Sequence, residues 1–160
     1  MRKHLTVVSV TMIFGLGLAT VTMAADPRVG TWKLNLAQSK LPPSTGAAIK
    51  EETAVVREVG DQFETAFTST RTDSSTTTNK FTEPQKGGAI GRQPAYPEGE
   101  SGVATMIGPG NWYVTFLQNG KQVRVYHNVI SKDGKTMRET YRGTDAKGKP
   151  IEGSAVFDKQ

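Results

Sequence analysis

The chain has no cysteine, only two histidines in 160 residues, and no long apolar run beyond its first 25 positions. Without cysteine there is no disulfide framework, no lipidated cysteine of a bacterial lipoprotein and no thiolate for zinc. His4 lies in the leading segment, so His127 is the one imidazole beyond it, and a metal site there would need carboxylates to complete it. No nucleophile elbow or zinc spacing occurs, and the glycine-rich 87–91 lacks the Lys-Ser/Thr of a phosphate-cradling loop. The formal charge of +5 comes without interleaved aromatics, which excludes the footprint of a nucleic-acid binder. Helix-period patterns are nearly missing after Pro27. The length allows one domain.

What is present begins with a signal. Arg2, Lys3 and His4 precede an apolar stretch over 5–18, and Thr22-Met23-Ala24-Ala25 supplies small residues before Asp26-Pro27. This pattern predicts a secretory signal peptide over 1–25 and a mature domain over 26–160. The apolar stretch is shorter than the ~20 residues of a membrane-spanning helix, and no second one follows. The expectation is an exported protein, periplasmic or extracellular, with no membrane span after cleavage.

The mature sequence reads as strands. The whole chain has 20 Thr, many of them in alternating segments, as in antiparallel β proteins. Trp32 and Leu34 flank Lys33 in a first strand. Phe63, Thr65 and Phe67 alternate after the Gly60-Asp61 turn. Asn119-Gly120 suits a two-residue type I′ turn, so 112–118 should pair with 121–129, placing Trp112, Val114 and Phe116 on one face. Val123, Val125, His127 and Val129 share a face of the partner strand. Residues 83–102, with Gly87, Gly88, Gly91, Gly99 and Gly102 and three prolines, read as a long flexible loop carrying Ile90 and Tyr96. Strands joined by glycine turns predict an all-β, up-and-down meander of about 8–9 strands that closes into a barrel.

Gly30-x-Trp32 on the first strand resembles the signature of the calycin superfamily of lipocalins, fatty-acid-binding proteins and avidins. Gly30-Thr31-Trp32-Lys33-Leu34-Asn35 and Ser39-Lys40-Leu41, with Ser131-Lys132-Asp133-Gly134-Lys135, Gly143-Thr144-Asp145 and the closing Val156-Phe157-Asp158-Lys159-Gln160, resemble a group of small exported bacterial lipocalin-like proteins of unassigned function. The resemblance implies a barrel and export. It also implies that Trp32 closes one barrel end under a basic residue, with Arg138 and Arg142 as candidates. It transfers no catalytic residue.

The first functional reading is a barrel that binds a small apolar or amphipathic ligand, without a cofactor or metal and without enzymatic activity. Its expected wall is Phe63, Phe67, Trp112, Val114, Phe116, Val125 and Tyr141, joined by Val55, Val123 and, from the long loop, Ile90 and Tyr96 as a lid. The alternatives are a protein-binding module such as a periplasmic protease inhibitor, acting through 83–102, and a purely structural barrel without a cavity. His127 with Glu139 and Tyr141 is the one acid/base constellation the residues suggest.

Overall fold

The computed structural model describes residues 25–42, 48–145 and 148–160; the segment read as a signal peptide lies outside them but for Ala25. Among the described residues ten strands follow in order: β1 (Gly30–Leu34), β2 (Ile49–Val59), β3 (Gln62–Arg71), β4 (Thr76–Pro84), β5 (Gly88–Gln93), β6 (Glu100–Gly108), β7 (Asn111–Gln118), β8 (Lys121–Ile130), β9 (Thr136–Thr144) and β10 (Pro150–Lys159). Each pairs antiparallel with the next, and β1 pairs with β10, closing the barrel. The all-β meander is as the alternation predicts. The strand beyond the expected number is β5.

β5 corrects the reading of 83–102 as a loop. That segment holds the end of β4, all of β5 and the start of β6. Glycines and prolines hide a strand whose partners meet it over short stretches, 80–82 on one side and 102–104 on the other. Glycine here permits close packing: a Cβ on Gly102 would collide with the Tyr96 phenol, which lies against it. The Asn119-Gly120 hairpin is as expected, with φ of 49° and 76°, and a bulge at Phe116/Leu117 adjusts its register.

Residues directly opposite in the ladders share a face, so the register fixes what points inward. Trp32, Leu34, Ala54, Val56, Phe63, Trp112, Met137, Ala155 and Phe157 form the buried core. The end of the barrel bearing the β2–β3, β6–β7 and β8–β9 turns, called lower here, is plugged by residues 26–29. Arg28 is buried there, its guanidinium 3.8 Å from the Phe63 ring centroid and 5.5 Å from that of Trp112. It donates to Asp26 at 3.0 and 3.1 Å and to Glu83 Oε1 at 3.1 Å. The Trp32 indole donates to the Arg28 carbonyl at 2.8 Å.

The cation over Trp32 is Lys159, not Arg138 or Arg142. Its Nζ lies 5.0 Å from the ring centroid and donates to the Pro27 carbonyl at 3.0 Å. Arg138 and Arg142 alternate with inward Met137, Glu139 and Tyr141 on β9 and are exposed on the outer face.

Candidate ligand cavity

Above the plug the interior is hollow. A lower lobe of about 230 Å³ is bounded by Ala54, Val56 and Phe67 from one side of the barrel and by Ile90, Trp112, Val114 and Phe116 from the other. An upper lobe of about 310 Å³ is bounded by Leu34, Ile49, Glu52, Arg124, Tyr141 and Ala155, with Leu41 and Pro42 at its rim. Tyr126 and Glu139 line both, so the lobes meet at these two side chains.

The lower lobe is mainly apolar because β2, β3 and β7 turn Ala54, Val56, Phe67, Trp112, Val114 and Phe116 into it. Phe67 meets Phe81 and Phe157 edge-on at 5.8 and 6.4 Å. The upper lobe reverses the pattern. β8 turns Arg124 and Tyr126 into it, and Asn128 into the lower lobe, and leaves Val123, Val125 and Val129 on the outside. β9 turns Glu139 and Tyr141 inward. Tyr126 stacks obliquely on Tyr141 at 5.3 Å and meets Phe116 edge-on at 5.4 Å.

The electrostatics follow from this burial. Glu139 is enclosed by protein, and the surface it retains faces the lobes. Burial, with the Glu52 carboxyl as second cause, pushes it up to about 8. Glu52 is also raised by burial, against a short hydrogen bond from the Ser69 hydroxyl. Burial pushes Tyr126 and Tyr141 up to about 12. At the plug, burial pushes Glu83 up to about 7 against the opposing pull of Arg28. Arg124 donates to Glu100 at 2.9 Å with its guanidinium 5.0 Å from the Phe116 ring. Arg92 donates to Asn79 at 3.1 Å and lies near the Phe81 and Tyr96 rings.

Of the expected wall, Phe67, Trp112, Val114, Phe116 and Tyr141 do line the lobes, together with Ile90. Tyr96 packs edge-on over Phe116 at 6.1 Å, next to the cavity rather than lining it. Phe63 lies beneath the cavity in the Arg28 plug. Val125 and Val55 are corrected: both face outward, Val125 into an external groove of about 710 Å³. His127 lines that groove too, stacked on Tyr113 at 4.3 Å and bonded to Asn111 at 2.9 Å. Glu139 faces the opposite side of the sheet, so the acid/base constellation does not assemble. Sequence reading missed Glu52, Arg124 and Tyr126; their polar-inward alternation on β2 and β8 is the signal, once the partner strand fixes the face.

The zebrafish ileal bile acid-binding protein complexed with cholic acid is 18% identical over 84% of this chain and 99% of its own, with a TM-score of 0.51. The two share the fold of a closed antiparallel β-barrel. The siderocalin Ex-FABP, described as functioning through dual ligand specificities, is 7% identical over 84% of this chain and 71% of its own, with a TM-score of 0.46. No protein-family model and no curated protein matches the sequence. No group of three or more potential metal-ligating side chains converges among the described residues. No described helix is long and apolar enough to cross a membrane.

Proposed function

We propose that this calycin barrel binds a small amphipathic organic molecule within its two lobes and serves as an exported carrier or sensor of it. The observation that carries the reading is the hollow interior. Taken together, the two connected lobes of about 230 and 310 Å³ fall in the size range of small-molecule pockets. Their lining divides into an apolar lower part and a polar upper part, matching a ligand with a hydrophobic body and a polar head. The cavity stands against a filled, purely structural barrel. The protein-binding alternative loses its main support because much of 83–102 is strand. Export rests on the pattern of residues 1–25.

The test is native mass spectrometry of the protein taken gently from its own exported fraction, before and after organic extraction. The expected result is a stoichiometric extra mass lost on extraction. A bare protein whose tryptophan fluorescence also ignores added medium-chain amphiphiles overturns the reading.

A further inference from the structure

The charges inside the barrel are unevenly answered. Among the described residues three guanidiniums reach the interior, and each has an oxygen partner. Arg28 is held by Asp26 and Glu83, Arg124 by Glu100, and Arg92 by Asn79 away from both lobes. The carboxyls of the upper lobe are different. Glu52 is bonded to the neutral Ser69 hydroxyl, and the charged neighbour that acts on Glu139 is Glu52 itself, a second acid. Around Glu139 stand Met137 and Tyr141 on its own strand, Tyr126 and Asn128 on β8, Ala155 on β10 and Glu52 on β2; no cation is in this ring. Asp145 at the rim accepts from the Lys149 backbone of its own turn.

Two carboxyls on the wall of a cavity, without a cation between them and bordered by the rings of Tyr126 and Tyr141, lack one positive charge. We infer that the upper lobe recognises a protonated amine, so that the cargo is an amphipathic amine with its ammonium between Glu52 and Glu139 and its apolar body in the lower lobe. The inference rests on the binding reading above and names its ligand class. Carboxylates and aromatic faces both stabilise a desolvated ammonium. Because Glu139 holds its proton to about pH 8 in the empty barrel, an incoming ammonium displaces that proton to solvent and leaves an ammonium–carboxylate pair. The one competing feature is the Arg124 Nε, buried without a hydrogen-bond partner, which favours an anion.

Three probes of equal chain length separate these chemistries: decylamine, decanol and decanoate, titrated calorimetrically into the extracted protein at pH 7.5. The expected result is decylamine binding at least about tenfold tighter than the other two, with close to one proton released per amine in buffers of different ionisation heat. Glu139→Gln and, separately, Glu52→Gln should weaken decylamine about tenfold or more and leave decanol within about twofold. Decanoate binding tightest, or decylamine no better than decanol, overturns the amine assignment while the barrel remains a binder. No binding by any probe overturns both. Should Glu139→Gln fail to fold, Glu52→Gln and the proton count on the unmodified chain carry the test.

Discussion

Replacing Glu139 by Gln keeps the shape of the side chain where the two lobes meet and removes its ionisation. The folded protein holds this carboxyl at about 8, against an ordinary 4.5. That difference of about 3.5 pH units, at 1.36 kcal/mol each, sets a ceiling of about 5 kcal/mol. Water reaching the carboxyl through the cavity and its coupling to Glu52 reduce the expected effect to about 2–3 kcal/mol. Between pH 4.5 and 8 the unfolded chain binds fewer protons at this site than the folded one, so the stability contributed by the protonated form falls as pH rises. Glutamine does not titrate. Urea unfolding followed by tryptophan fluorescence should therefore find the variant and the parent equally stable near pH 4.5. By pH 8 to 8.5 the variant should be more stable by about 2–3 kcal/mol. Glu83 is raised in both proteins and cancels from the difference. Parallel stability curves across this range would refute the reasoning.

Arg28→Met should cost about 3–5 kcal/mol at pH 8 by urea unfolding, because Asp26 and Glu83 lose their buried cation. The loss should shrink towards pH 5, where Glu83, raised to about 7, is protonated. Val114→Phe should fill the lower lobe, weakening decanol at least about tenfold in calorimetry while changing stability by under about 1.5 kcal/mol. Lys159→Met retains an apolar stem over Trp32 but loses the cation and the bond to the Pro27 carbonyl, for a cost of about 1–2 kcal/mol in thermal unfolding. His127→Ala should leave all probe affinities unchanged, since the imidazole faces the outer groove.

The alternation in the sequence was enough for most strands, the Asn119-Gly120 hairpin and the inward set Trp112, Val114 and Phe116. It failed on β8 for a physical reason. A strand whose apolar face holds Val123, Val125 and Val129 is ordinarily turned with that face to the core, yet here the same residues are outside. Opposite Trp112 stands Asn128 and opposite Val114 stands Tyr126, and this register decides the matter. A period of two names two faces without saying which is wet. Polar side chains inside a barrel are also what a ligand with a polar head requires, so the misread strand is the one that builds the upper lobe. β5 escaped notice because Gly88 and Gly91 break the apolar pattern. The cation over Trp32 escaped because Lys159 follows the apolar run of β10 at its very end. Residues 1–24 lie outside the described part of the molecule.

The seam that shuts the barrel joins its first strand to its last. Trp32 lies opposite Lys159, and the Gln160 amide donates to the Thr31 carbonyl at 2.9 Å. Contacts of such sequence separation are slow to form and arrive late. During folding, β1 therefore waits with one edge unpaired until β10 docks, and the indole of Trp32 stays without its ammonium cover until Lys159 is in place. The chain passes from open ribbon to sealed container when β10 docks on β1. Loss of β10 removes a wall, and the cavity with it.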